Sequence, residues 1–377
     1  MTNKPGSGKY NLYILVITIL LTLIFAETVL RFMPVLNSAD WMPVTAKDTL
    51  LRHTPNNTII YSKDWNFSNK TVRHSNNYGF LNDQDYKTQG DTVLVAVIGD
   101  SYVEAMLNEY DKTFYGLLSN SLNKKARVYS FGVSGAQLSQ YLAWADFVNT
   151  EFNPDILVIP IIANDFDESF YKYKRTRGFH YFNESDRSGS IYSVERKDSF
   201  LRKIMLESSL GRYLFYHLNV GNHLKTLKNT IVKFLNNDDT PVRYIGNVVA
   251  EVPKKQEEDG YKATDLFLLN ISKKSTLRSN NIVFVIDAVR PSIYNKDDLN
   301  NSVTSYWSKM REYFIKQSVD KGFNVIDMQS VFINNYNSNK AKFEYVNDGH
   351  WNDLAHELVF KEIYNHKVLK DIKSKQF

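Results

Sequence analysis

The chain of 377 residues contains no cysteine. That absence removes disulfides, Cys-based zinc sites and a thiol nucleophile, and leaves oxygen and nitrogen chemistry. Low-complexity tracts and internal repeats are also missing, so a solenoid or a fibrous array is excluded. No Gly-x-Gly-x-x-Gly follows any apolar run, which argues against a nucleotide-binding enzyme. Basic residues outnumber acidic ones only by 46 to 41 and are scattered, so nothing points to nucleic acid as a partner. With 43% apolar and 14% aromatic residues, the chain has enough material for one large core or two smaller ones.

One long uncharged run stands near the start. "YNLYILVITILLTLIFA", residues 10–26, has 17 residues without a charge, the lower limit for a helix that crosses a bilayer. Lys4 and Lys9 precede it, which predicts a cytoplasmic N-terminus and everything downstream outside the cytoplasm, in a periplasm or on the outer face. A cleaved signal peptide is the rival reading. Against it, the apolar run is long and "LIFAET" lacks the small-x-small pattern of a cleavage site. The expected organisation is a membrane anchor over 1–33, a stalk over 34–90 lying on the following domain, and a domain over 91–377.

From Val93 onward, buried apolar runs alternate with helical segments. "VLVAVIG", "ARVYSFGV", "DILVIPII", "NIVFVIDAV" and "GFNVIDM" each lead into a polar turn, the pattern of an α/β domain with a mainly parallel sheet between helix layers. Residues 166–275 exceed what a crossover requires. They mix aromatic and basic residues in "FDESFYKYKRTRGFHYF" and continue with amphipathic spacing in "SFLRKIMLESSLGRYLFYHL". This insertion is expected to cap the rim of the site. Its aromatic and cationic residues would suit an acidic glycan, although an exposed strand with a packing helix explains the same pattern.

Ligands of parallel sheets collect at the carboxyl ends of the strands. The residues there are Gly99-Asp100-Ser101, then Gly132 and Gly135 in "FGVSGAQ", then Asn164 in "IIANDF"; Asp348 and His350 follow near the end, in "YVNDGHWND". A serine hydroxyl becomes a nucleophile when an imidazole takes its proton and a carboxylate orients that imidazole. Ser101, His350 and Asp348 can fill these roles. An oxyanion needs preorganised donors, and the N–H groups of Ser101 and Gly135 with the Asn164 amide would serve. Each residue also has a plain structural reading: Ser101 as a helix cap, Gly135 and Asn164 as turn residues, His350 as a half-buried histidine.

Taken together, "GDSYVEAM", "FGVSGAQ", "IIANDF" and "DGHWNDLAH", in that order, resemble the SGNH or GDSL hydrolase superfamily. "NNYGFLNDQDY" and the apolar helix followed by "ETVLRF" are similar to a membrane-anchored bacterial branch of it. The resemblance implies a flavodoxin-like three-layer fold, Ser101 as nucleophile, Gly135 and Asn164 as oxyanion donors and His350 as base, with no metal or dissociable cofactor. Two positions depart from the pattern. Ile162 stands where the third block has glycine, which bears on access to the site. Asn347 stands where the aspartate of the last block lies three residues before His350; the aspartate here is Asp348, a spacing similar to that of polysaccharide O-acetyltransferases. His356 reads as a packing residue of the last helix.

The expected function is serine-dependent hydrolysis of an acyl ester, on an acylated cell-envelope or exported glycan or a small acyl ester. Two alternatives stay open. One is an O-acyltransferase using the same acyl-serine, which also requires a membrane partner that supplies the acyl donor. The other is a non-catalytic glycan-binding or assembly protein.

Overall fold

The five apolar runs become five strands, and all but the edge strand Asn324–Asp327 bury both of their faces. In the computed structural model, which describes residues 7–123, 125–220, 243–245, 248–295, 302–370 and 372, they are β1 (Val93–Gly99), β2 (Ala126–Gly132), β3 (Ile156–Ile161), β4 (Ile282–Ile286) and β5 (Asn324–Asp327). Every pairing among them is parallel. Their spatial order is β5-β4-β3-β1-β2. Strand β1 shows how sequence becomes layers. Leu94, Ala96 and Ile98 enter one apolar cluster while Val95 and Val97 enter the other, as the alternation of side chains along a strand requires. Each such side chain stabilises the fold by about 1.5–3 kcal/mol on full burial.

Helices Leu138–Phe152, Lys254–Ser275 and Tyr306–Asp320 supply the first cluster; Phe114–Leu122, Met328–Asn339 and Asp353–Asn365 supply the second. Helix starts are fixed by side-chain caps that accept otherwise unpaired N–H groups: Thr113 from Gly116, Ser305 from Ser308 and Asn352 from Ala355. The result is a three-layer α/β fold. The strand order reverses direction between β1 and β3, and such a switch point leaves a crevice at the carboxyl ends of those two strands. Ser101 and Asn164 are the residues that follow them.

Two compact units divide the chain. The larger comprises Trp41–Thr58, Arg73–Lys197 and Thr240–Phe377; the smaller comprises Met1–Asp40, Ile59–Val72 and Asp198–Asp239. This division corrects two expectations. Residues 34–90 are not irregular throughout: they contain paired strands, Thr58–Lys63 with Ser68–His74, and part of them belongs to the larger unit. There Arg73 is buried, and its guanidinium donates to the carbonyls of Ala105 at 2.8 Å and Asn108 at 2.9 Å and to the Tyr115 hydroxyl at 3.0 Å. A buried cation requires such partners, and they tie this extension to the segment after Ser101.

The insertion is the second correction, since it is split between the units. In its first part Phe166, Phe170, Phe179, Tyr181 and Phe182 are buried in the core. Large aromatic area favours that place over an exposed glycan platform. Its middle part, from Asp198, belongs with the N-terminal helix.

In the smaller unit, helix Ser7–Arg31 includes a stretch of 22 residues, Tyr10–Arg31, with mean hydropathy 2.4 and no buried residue. Two polar side chains organise the rest. Glu27 accepts from Ser208 Oγ at 2.8 Å and from the N–H groups of Ser209 and Leu210 at 3.2 and 2.8 Å. His217 donates from Nδ1 to the Asp64 carbonyl at 2.9 Å and accepts the Leu36 N–H at Nε2 over 3.1 Å.

In the larger unit, Gly132 at the end of β2 allows the main chain after Ser101 to approach. A Cβ there would stand 2.6 Å from the Glu104 nitrogen and 2.8 Å from the Val103 carbonyl carbon, and backbone atoms cannot swing aside. Gly132→Ala should therefore cost about 1–3 kcal/mol. Thermal unfolding measures this, and a variant as stable as the parent would show that the close approach is not rigid.

Candidate active site

The turn Gly99-Asp100-Ser101 begins the short helix Ser101–Glu104. Its cap is Asp100: the carboxylate accepts the Tyr102 N–H at 2.9 Å. Ser101 is thereby released from capping. Its Oγ stands 2.7 Å from His350 Nε2. On the other side of the ring, His350 Nδ1 bonds to Asp348 Oδ1. A carboxylate only accepts, so Nδ1 carries the proton and Nε2 presents its lone pair to the serine hydroxyl. The Asp348 carboxylate also accepts the His350 N–H at 2.9 Å, which fixes the two-residue spacing as one local turn. Asp348 is 7% exposed and His350 38%, so the carboxylate is shielded while the imidazole is open to solvent.

Asp348–Trp351 forms a strand paired with Glu344–Tyr345, and buried groups hold this hairpin. Trp351 Nε1 donates to Asp287 at 2.9 Å, and Tyr102, the neighbour of Ser101, donates its hydroxyl to the Gly349 carbonyl at 3.0 Å. Arg290 reaches the same hydroxyl at 2.7 Å and Glu344 at 3.1 Å. The base is thus tied to the serine's own helix.

Gly135 and Asn164 each sit in a turn after their strand. The Ala136 N–H bonds the Val133 carbonyl at 3.0 Å, and Gly135 has φ +82°. That left-handed conformation is one glycine adopts without strain. The second turn is closed by Asp165, which accepts the Ile162 N–H at 2.7 Å and the Tyr141 hydroxyl at 2.7 Å. Asn164, half-buried, lies within it. Ile162 is 3% exposed in the apolar cluster, so the departure at that position is a core side chain. His356 is buried too, accepts the Phe114 N–H at 3.2 Å, and is held by burial well below the ordinary histidine range.

Several further residues at this site were not among the sequence candidates. Glu104 is fully buried and bonds His53 Nε2 at 2.7 Å and the Ser134 N–H at 2.9 Å; the Ser134 hydroxyl donates to it as well. It therefore links the helix of Ser101 to the residue before Gly135. An acid three residues after the serine, in an otherwise apolar "SYVEAM", was the available hint. His53 had none, because its partner lies 51 residues away. Lys174 pairs with Glu168, and its ammonium would lie 3.3 Å from a Cβ at Gly135. The insertion thus does place a cation beside this turn.

Two buried carboxyls flank the serine. Burial, chiefly, pushes Asp100 above the usual carboxylate range, against the pull of the Tyr102 N–H and the charges of His350 and Lys174. Asp165 is likewise raised by burial, and further by the Asp100 charge.

No family model and no curated protein matches the chain. Solved structures similar in part include an acetyl xylan esterase, AlAXEase, at 14% identity, covering 72% of this chain and 98% of that one with a TM-score of 0.38. A member of the lipolytic G-D-S-L family from Veillonella parvula shows 9% identity, 72% and 96% coverage and a TM-score of 0.36. The protein TesA shows 10% identity, 74% and 99% coverage and a TM-score of 0.37. Likeness of this degree carries no functional weight; the chemistry has to be read from the side chains.

Two measurements probe the buried groups. Glu104→Gln keeps the shape but loses the charge that three donors share; it should lower kcat for an ester with little change in KM, and cost about 1.5–3 kcal/mol of stability. An unaltered kcat would confine Glu104 to a packing role. For Asp100 the folded-state pKa is raised, so its contribution is complete below the ordinary carboxyl value and is lost as pH rises through the elevated one. Asp100→Asn keeps the cap, and its unfolding temperature should fall less than that of the parent between pH 4 and pH 8. Parallel profiles would contradict a raised Asp100.

Proposed function

We propose that the chain is a serine-dependent acyl-ester hydrolase that acts outside the cytoplasm on an acylated glycan of the cell envelope. The observation that carries this reading is the hydrogen-bonded series Ser101–His350–Asp348. His350 Nε2 takes the hydroxyl proton while Ser101 Oγ bonds to the acyl carbon. The N–H groups of Ser101 and Gly135 and the amide of Asn164 receive the oxyanion, each donor worth about 3–4 kcal/mol in a preorganised site. Collapse expels the sugar oxygen, which His350 protonates, and leaves acyl-Ser101. Water then gives a proton to His350 and attacks the acyl carbon; the bond to Ser101 Oγ breaks, His350 returns the proton to that oxygen, and the acid leaves.

Lys174 beside Gly135 suits an anionic glycan. The uncharged run of residues 10–26, behind Lys4 and Lys9, supports an anchor with the catalytic unit outside. If a sugar hydroxyl replaces water, the same acyl-Ser101 performs O-acyl transfer. That route needs an acyl donor presented by a membrane partner.

A fluorophosphonate probe should label the full-length protein at Ser101, and His350→Ala should suppress the labelling. Ser101→Asp removes turnover of p-nitrophenyl acetate altogether, since no acyl-enzyme forms on aspartate. With soluble glycan acceptors present, mass spectrometry of the sugars separates the two fates: free acid for hydrolysis, acylated sugar for transfer. Labelling of another serine, or activity retained in Ser101→Asp, would return the chain to a glycan-binding role.

A further inference from the structure

The smaller unit carries a feature that the ester chemistry does not use. Around helix Ser7–Arg31, large apolar side chains stand in solvent rather than in a core. Phe32 is 86% exposed and Trp65 69%; Phe200 and Leu201 are both 76%, Leu214 41% and Phe215 43%. None belongs to either apolar cluster. A folded surface seldom leaves so much apolar area uncovered without a partner.

Their backbone is firmly held. Glu27, in the last two turns of the N-terminal helix, accepts three hydrogen bonds from Ser208, Ser209 and Leu210. His217 fastens the same chain to Leu36 and Asp64, and the Tyr213 hydroxyl donates to the Trp65 carbonyl at 3.0 Å. The exposed residues are thus presented by fixed elements next to the end of the apolar helix. Within Phe200–Glu207, Phe200, Leu201 and Ile204 lie in one arc, and Lys203 and Glu207 flank it; none of its residues is buried. An apolar arc bordered by charge is the form of a helix that lies in a membrane surface. Aromatic residues such as Trp65 and Phe32 are favoured at that depth.

We infer that residues 200–218 form a second membrane contact, seated among the lipid headgroups and upper acyl chains beside the point where the N-terminal helix leaves the bilayer. Lipid is the partner because these residues share one compact unit, and the tie at Glu27, with an apolar helix that has no buried residue. The inference rests on the anchor reading given above.

The chain has no cysteine, so single labels can be placed without other changes. The full-length protein, carrying a spin label at Ile17→Cys, Leu201→Cys or Phe215→Cys, is reconstituted in phosphatidylcholine nanodiscs. Relaxation by oxygen is then compared with relaxation by a water-soluble nickel chelate. These three side chains are exposed, so labelling leaves the fold intact, which circular dichroism verifies. Labels at 201 and 215 are expected to favour oxygen over nickel several-fold relative to a label free in water, though less than the label at 17. Nickel access at 201 and 215 equal to that in water, with 17 still lipid-exposed, overturns the second contact and leaves the anchor standing. Protection from both agents at 201 and 215 overturns it in favour of a protein partner. An aqueous signal at 17 overturns the anchor and this inference together.

Discussion

The arrangement of the site depends on one hydrogen bond, from the Tyr102 N–H to the Asp100 carboxylate. A strand that turns straight into a helix leaves N–H groups unpaired, and some side chain must accept them. Were Ser101 to do so, its hydroxyl would face its own backbone. Because Asp100 takes the cap, the Ser101 hydroxyl points at His350, and Tyr102 swings to the hairpin that carries the base. Cap, nucleophile and tether are three consecutive residues with three separate tasks.

The position of Asp100 has a consequence for charge. It is buried, as is a second carboxyl, Asp165, which burial and the Asp100 charge raise, while each also serves a turn. Glu104 adds a third buried acid, compensated by His53 and Ser134. These buried acids make the region electrostatically demanding, and the structure meets that demand with N–H groups and hydroxyls aimed at their carboxyl groups. Losing a donor leaves a buried carboxyl short of a partner, which costs more than an exposed bond of the same kind contributes.

The segments before β1 are part of this arrangement. His53 and Arg73 enter the larger unit and bond to Glu104 and to the carbonyls after it. The piece between them belongs to the smaller unit with the apolar helix. One stretch of chain thereby serves both units.

Much of the fold was legible in the sequence. The five strands could be read because burial between helix layers demands mostly apolar runs, and Ser101, Gly135, Asn164, Asp348 and His350 could be named as candidates because residues that meet a ligand of a parallel sheet follow strand ends or turns. Asp348 and His350 are two residues apart, so their pairing is local and visible in the chain itself. What only the tertiary structure decided are the contacts between distant segments: that Ser101 meets His350, that Glu104 joins His53 to Ser134, and that the aromatic residues of the first part of the insertion, Phe166 to Phe182, go to the core. Sequence determines which groups can donate, accept or be buried. Which of several suitable partners each one meets depends on the packing of segments far apart in the chain, and no local pattern records that.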